Sequence, residues 1–456
     1  MIPDPWAVLS PGFWLSFGSV SLIFYVTAHR IDTMQASEET APAVGLMNKF
    51  RRTLNNYAYV QWAMSLGLIP PLLGLFGQVS LVSPLANAYA IPMISLIVVP
   101  FALLGVVLPI DTPLWIAHWV LEKTMMPLQY LSDLPAAVWM QHPPPIWCVI
   151  MGMLGVLWIL TPRGFPARWL GILLMLPMFL NRPVPPVSGS VNALIFDVGQ
   201  GLSVALQTQH HTLLYDSGPD FSDQADSGNR IIIPGLTSLG VGALDELMLS
   251  HDDIDHTGGT ASILQMMPVA RITSSLPANL MQTVPGLKDD IRLCQDGQSW
   301  DWDGVKFELL HPGNEVFRAR SQDNERSCVL RIGTGNQHIL LAGDIEKRGE
   351  TALIARHEAQ LAANVLVVPH HGSASSSSLE FVGAVLPDYA VFTVGYLNRF
   401  GHPKADITQR YRDSGASILR SDIEGAIQVS MNPQGYSIER YRASHQRYWM
   451  HTPKMD

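Results

Sequence analysis

The sequence predicts a two-part chain: an α-helical transmembrane bundle followed by a soluble domain of β-sheets layered with helices. Three observations predict it. Residues 1–182 carry seven acids and eight bases, whereas residues 183–456 carry the other 31 of 38 acids and 21 of 29 bases, a net charge of −10. Uncharged apolar runs long enough to cross a bilayer occupy the first part. In the second part, one strand-like run after another ends on an Asp or a His.

Residues 57–77 and 90–110 lack ionisable side chains and match the roughly 20 apolar residues that a bilayer core demands. Shorter candidates are 13–28, 146–160 and 169–180, the last being tilted, partial or non-spanning on length alone. Soluble helices would need polar faces, which these segments lack. Pro70, Pro71, Pro92, Pro100 and Pro177 interrupt them. The carbonyls they free need partners in the protein or in a water-filled cavity. Along 113–135, His118, Glu122, Met125 and Gln129 recur at helical spacing, with Trp115, Trp119, Met126 and Tyr130 beside them. This helix lines a cavity, crosses obliquely or lies in the interface as an anchor.

Arg30, Lys49, Arg51 and Arg52 fall in the loop 29–56, and Arg163 and Arg168 in the loop 161–168; loops 78–89 and 132–145 have neither Lys nor Arg. If 113–131 crosses, the basic loops share the cytoplasmic side and the C-terminal domain lies outside. The opening "MIPDPWAVLSPGFWLSF" has no basic region or cleavage site of a signal peptide. Among the cysteines, Cys148 sits in an apolar run and reads as packing. Cys294 and Cys328 can bridge only in an oxidising compartment. No CxxC suggests a zinc ribbon.

"NRPVPPVSGSVN", 181–192, reads as a linker between domains 1–182 and 183–456. Beyond it, strands end at Asp216, Ser250, Asp344 and His370, and His402 lies in the loop behind another; helical patterns such as 345–361 intervene. Sheets layered with helices bring such ends to one edge, where ligand sites gather. Individually, Asp216 reads as a turn residue and Asp344 as a helix cap. Within "LSHDDIDHTGG", His251, Asp253, Asp255 and His256 form H-x-D-x-D-H. Imidazole nitrogens and carboxylate oxygens suit zinc or manganese. A tight loop pointing alternate side chains inward would gather them, and Gly258 and Gly259 would allow close backbone approach. An acidic surface turn has no use for histidines at both ends.

These residues resemble the metallo-β-lactamase fold, whose motif is H-x-H-x-D-H, with Asp253 at the second histidine. That variant, with "FDVGQG" (196–201), "LLAGDIE" (340–346), "VPHHGSASSSS" (368–378) and "RFGHP" (399–403), resembles the ComEC type of DNA-internalisation competence protein. "LSPGFWLSFGSV" (9–20) and "FGQVSLVSPLANAYAIP" (76–92) resemble that family's membrane domain. Members typically carry further N-terminal helices and an OB-like domain, so the chain resembles a C-terminal portion. The resemblance implies an αββα metallo-β-lactamase fold, a channel for single-stranded DNA and a nuclease degrading the other strand of a double-stranded substrate. By position, it implies His251 and Asp253 on one metal, Asp255 and His256 on a second, Asp344 bridging, and His370 rather than His371 completing the second site. A third motif histidine has no match; "DNERSCVLRI" (323–332) stands there. Asp255 and His402 are the catalytic candidates, His402 as ligand or proton donor; an exposed loop histidine is the plain alternative. Asp197 and Asp216 would orient loops and the groups that surround the ligands.

Two divalent ions, Zn2+ or Mn2+, about 3.5–4 Å apart would activate water for attack on phosphorus, with His402 protonating the leaving oxygen. The −10 charge opposes DNA binding unless cations or a local basic surface offset it. The basic, aromatic tail 440–454 offers one such surface; packing on the domain is the other reading. No GxxxxGK[ST] occurs, so a separate ATPase is expected besides DNA, a DNA receptor and membrane lipid as partners. The expected place is the cytoplasmic (inner) membrane, crossed several times. Alternatives are a membrane-tethered hydrolase of another phosphodiester or ester, a non-catalytic DNA-guiding protein, and a non-functional remnant.

Overall fold

The computed structural model describes residues 5–38, 46–162, 164–278, 291–314 and 323–446. The chain divides into two compact units, Met1–Pro183 and Val184–Asp456.

In the first unit, Pro11–Ala28, Arg51–Phe76 and Ser83–Val107 are helical, long and apolar enough to cross a membrane. Their helices outrun the apolar stretches: Pro11–Glu38 and Leu46–Phe76 take in much of the sequence expected as a basic loop. Backbone hydrogen bonding needs no apolar side chain, so hydropathy marks the buried part of a helix and not its end. A widened π turn, Ile94–Val98, precedes Pro100, which brings no N–H to the ladder. Shorter helices, Ile146–Ile159 and Leu170–Leu180, approach backbone to backbone, since a Cβ on Gly155 would lie 2.5 Å from the Gly171 carbonyl. Small residues at the crossing permit this close packing. Helix Thr112–Ser132 buries Pro113, Ala117, Val120 and Thr124. His118, Glu122, Met125 and Gln129 are exposed, as are Trp115, Trp119, Met126 and Tyr130. The small aliphatic stripe packs, and the polar and aromatic residues do not.

The second unit holds two large sheets. One has eight strands in the order Ile291–Leu293, Ile272–Ser274, Glu246–Leu249, Thr212–Tyr215, Val204–Gln207, Val191–Ile195, Ile427–Asn432, Gly435–Arg440. The other has seven: Ser299–Trp302, Val305–His311, Val329–Thr334, Gln337–Leu341, Val365–Val367, Tyr389–Phe392, Ser417–Arg420. Side chains from both, including Val204, Tyr215, Phe307, Leu330, Leu341 and Val429, fill the layer between them. Helices Ile233–Ser238 and Thr260–Met266 cover one outer face through Leu236 and Ile263. Lys347–His357, Leu379–Val385 and Ala405–Asp413 cover the other through Leu353, Phe381 and Ile407. The architecture is αββα.

Parallel pairing positions the site. Thr212–Tyr215 runs parallel to Glu246–Leu249, and Gln337–Leu341, Val365–Val367 and Tyr389–Phe392 run parallel to one another. Parallel neighbours end on the same edge. Asp216, the Ser250–His256 stretch, Asp344, His370, His371 and Thr393 all follow such ends.

Cys148 is buried and free, whereas Cys294 and Cys328 are paired, their Cα atoms 6.1 Å apart. A bridge across 34 residues limits the unfolded chain by about 3–4 kcal/mol. Cys294→Ser should therefore lower the unfolding free energy of the detergent-solubilised protein by about that much under non-reducing conditions. Equal denaturant midpoints for variant and parent would show that the bridge contributes nothing.

Candidate metal centre

The approach to the centre begins at Asp216, which leaves its strand in the left-handed region at φ 58°. Its buried carboxylate accepts the Ser250 backbone N–H at 2.6 Å, the Ser250 hydroxyl at 2.8 Å and His256 Nδ1–H at 2.7 Å. Because Ser250 gives its single hydroxyl proton to Asp216, its oxygen accepts from His251 Nδ1 at 2.9 Å. Both imidazoles are thereby fixed with Nδ1 protonated and Nε2 turned inward. On the opposite sheet, His371 Nδ1 pairs with Thr393 Oγ1 at 3.0 Å, leaving its own Nε2 free to face the same space.

What faces inward lacks partners. His251, His256 and His371 are each 2 % exposed or less, and the Nε2 atom of each makes no hydrogen bond; nor does Asp344 Oδ1. His256 Nε2 lies 3.2 Å from Asp344 Oδ1, while His371 Nε2 is 3.4 Å from Asp255 Oδ2 and 3.6 Å from Asp344 Oδ2. The potential ligand atoms fall into two overlapping sets, His251, His256 and Asp344, and Asp255, His256 and His371. Buried imidazole nitrogens and carboxylate oxygens facing one space without hydrogen bonds are what a divalent cation satisfies. The residues therefore fit a metal.

Several details depart from the sequence expectation. Residues Ile254–Thr257 form one helical turn rather than an alternating loop. His251 precedes this turn and His256 lies within it, and Asp253 stays half exposed, 3.5 Å from His251 Nε2. Asp253 belongs to neither ligand set. The resemblance implies His370 rather than His371 as a ligand, but it is His371 that joins a set. His370 and His371 both adopt left-handed backbone, at φ 51° and 54°, and these turns send the two rings apart. His370 Nδ1 lies 3.1 Å from Ser375 Oγ and 3.5 Å from Glu346, its Nε2 3.8 Å from Asp344. In the stretch 323–332, where the motif's third histidine has no match, Ser327 lies behind the centre. Its hydroxyl accepts the Asp344 N–H at 3.0 Å and lies 3.4 Å from His251 Nδ1. Gly258 and Gly259 do allow the expected close backbone approach, with negative φ at both: a Cβ on either would strike the backbone of Asp220 or Ser217. Asp197 does not reach the centre; its carboxylate pairs with Arg442 at 2.8 Å. Of the basic tail, Arg440 pairs with Glu424 at 3.2 Å, and residues 447–456 lie outside the described residues. The sequence marks Ser250 only as a strand end, and neither its bonding role nor Ser327 and Thr393 can be found there, because a hydroxyl beside a strand end has no spacing that distinguishes it.

The centre is electronegative. Burial opposes charging His256 and His371, yet Asp344 holds both proton affinities up, assisted by Asp216 at His256 and by Asp255 at His371. Against the same burial, protonated His256 holds Asp344 far below the usual carboxylate range and Asp255 at about 2. At the mouth, burial and the carboxylates of Asp252 and Asp253 push Asp323 up. Burial and its neighbours His371 and His370 depress His402 to about 4, so it is neutral at pH 7. Its Nδ1 is buried without a hydrogen bond, and its ring stands edge-on to His370 at 6.2 Å.

Two results are expected. Asp216→Asn should weaken Zn2+ or Mn2+ binding by about 10–100-fold, since the partner fixing His256 is lost. Metal binding should also release protons near neutral pH, because a cation displaces those on His256 and His371. The raised imidazoles stabilise the metal-free fold fully below their unfolded value near 6.5, and that stabilisation is lost as pH climbs through their higher folded values. Calorimetry in buffers of different ionisation enthalpy checks the proton count; heats independent of buffer would contradict it.

Residues 1–165 match the family model described as competence protein, and residues 196–395 match the metallo-β-lactamase superfamily. The chain is 34% identical over 451 residues to "Competence protein ComA" of Neisseria gonorrhoeae, covering 99% of this chain and 60% of that one. It is 27% identical over 475 residues to "Recombination protein 2" of Haemophilus influenzae, covering 96% and 57%. To "ComE operon protein 3" of Bacillus subtilis it is 26% identical over 462 residues, covering 93% and 56%. The chain thus spans under two thirds of the length of these relatives. The chain carries a competence-protein domain followed by a metallo-β-lactamase domain, and along nearly its whole length it is similar to these competence and recombination proteins.

Proposed function

We propose that this chain serves DNA uptake, its membrane half forming part of a path for a single strand and its second half hydrolysing the strand that is not carried. The observation that carries the hydrolytic part is the convergence of four buried, hydrogen-bond-free atoms, the Nε2 of His251, His256 and His371 and Oδ1 of Asp344. Two divalent ions, Zn2+ or Mn2+, would be held by His251, His256, Asp344, Asp255 and His371, with Asp253 and His370 at the edge. Bound there, they supply positive charge for phosphate oxygens and activate water.

The remaining work falls to the chain. Asp216 and Ser250 fix the rings of His256 and His251, and Thr393 fixes His371. Asp344 Oδ1 lies 3.2 Å from His256 Nε2 and its Oδ2 3.6 Å from His371 Nε2, which suits a position between the two sets, as does His256, which belongs to both. His402, neutral beside two imidazoles, would take a proton from solvent water as an anionic phosphate raises its affinity, and pass it to the leaving oxygen. Pairing of Cys294 with Cys328 supports an extracytoplasmic second half; the arrangement of basic and neutral loops agrees with it only if Thr112–Ser132 and Leu170–Leu180 both cross. The proposed place is the inner membrane, crossed several times, with a DNA receptor and a separate ATPase as partners.

Purified full-length protein in detergent should degrade DNA with Mn2+ or Zn2+, and Asp255→Ala should lower the rate at least about a hundredfold. Undiminished hydrolysis by that variant would remove the assignment. Intact metal binding without hydrolysis, joined to loss of DNA uptake in the variant, would instead support a DNA-guiding domain. A protease-sensitive tag after Asp456 tests topology: cleavage from the cytoplasmic side would contradict the orientation.

A further inference from the structure

Beyond the strand Tyr389–Phe392, the chain forms the loop Gly395–Lys404 at the rim of the metal centre. It is braced. Asn398 Nδ2 donates to the carbonyls of Gly395 at 3.0 Å and His402 at 2.7 Å, and its Oδ1 accepts the His402 N–H at 2.9 Å. Lys404 joins Nζ to the Phe400 carbonyl at 2.8 Å and its N–H to the Gly372 carbonyl at 3.0 Å, tying this loop to the one after His371. At the other end, a Cβ on Gly395 would lie 2.8 Å from the Gln200 nitrogen.

This fixed loop presents apolar surface to water. Tyr396 is 63%, Leu397 83% and Phe400 47% exposed. Phe400 lies nearly parallel to His402, with ring centroids 5.8 Å apart at 27°, and the Arg399 guanidinium sits 4.9 Å above the Phe400 ring. His402 in turn meets His370. A line of rings therefore runs from the exposed Phe400 to the edge of the metal centre. From Tyr389 to Ala405 there is no acid, although acids outnumber bases 31 to 21 in residues 183–456; Arg399 and Lys404 make this stretch locally cationic.

Exposed aromatic faces, a cation and a neighbouring phosphate-cleaving centre together fit a planar base joined to an anionic backbone. In a duplex both faces of a base are covered by its neighbours, so a ring on the protein can take one only from an unpaired nucleotide. We propose that Tyr396 and Phe400 form a stacking platform for an unpaired nucleobase of the strand whose phosphate enters the metal centre. The substrate at that centre is then a single strand or a frayed end, not an intact duplex. This rests on the hydrolase reading for the identity of the substrate. It also meets the charge objection locally: stacking is indifferent to the domain's acidity, and Arg399 and Lys404 lie where the backbone would run.

The test is binding in EDTA, which needs no hydrolysis. Full-length protein in detergent is titrated into a fluorescent dodecathymidylate and into an abasic strand of equal length and charge, read by anisotropy. Phe400→Ala should weaken thymidylate binding about tenfold and Tyr396→Ala by a similar factor. Both variants should leave abasic binding unchanged, and Phe400→Trp should restore the parental affinity. Unchanged thymidylate binding, or equal losses for both strands, would overturn the platform. So would loss of binding to phosphatidylglycerol vesicles with thymidylate binding intact, which would make the loop a lipid contact. If no DNA is hydrolysed with any metal but the Phe400-dependent difference persists, the hydrolase reading fails and the platform stands.

Discussion

Buried negative charge must be neutralised, and the second half of this chain is arranged around that constraint. Asp216 and Asp344 are 0% and 3% exposed, facing His256 from opposite sides at 2.7 and 3.2 Å. An isolated carboxylate in such a place would carry several kcal/mol of desolvation penalty. Asp216 is compensated inside the protein by three donors. Asp344 has its Oδ1 aimed at imidazole nitrogens and bonded to none. That contrast separates a carboxylate that builds the site from one that waits for a cation.

The fold places the charges where they can meet. Two sheets packed face to face through Tyr215, Phe307 and Leu341 set opposing strand ends a few ångströms apart. One sheet contributes His251 and His256, and the other Asp344 and His371. Neither sheet carries a full ligand set, so formation of the centre depends on the packed layer between them. Left-handed backbone at Asp216, His370 and His371 is the local cost, about 1–3 kcal/mol each.

Much of this was legible in the sequence, and the failures have physical causes. Asp and His at successive strand ends pointed to one edge, since parallel strands must end together. Apolar runs located the membrane-compatible helices but misplaced their ends, as at Arg51 and Arg52, because helices continue through polar residues. Position in the chain favours His370 over His371 wrongly: both follow the same strand, and only two positive φ angles decide which ring turns inward. Asp253 occupies a motif position yet stays at the surface, because the residues after it coil into a helical turn. Ser327 stands at the centre because of the sheet pairing around it, which a missing histidine does not reveal.

The central claim is that these side chains are arranged for divalent cations. It is tested most directly by anomalous X-ray scattering from crystals of the full chain grown with Mn2+ or Zn2+. The account predicts density at about 2.0–2.2 Å from His256 Nε2 or His371 Nε2 and from an Asp344 oxygen. Crystals that bind the metal elsewhere, with His256 Nε2 and Asp344 Oδ1 still facing each other across protein or water, would contradict it.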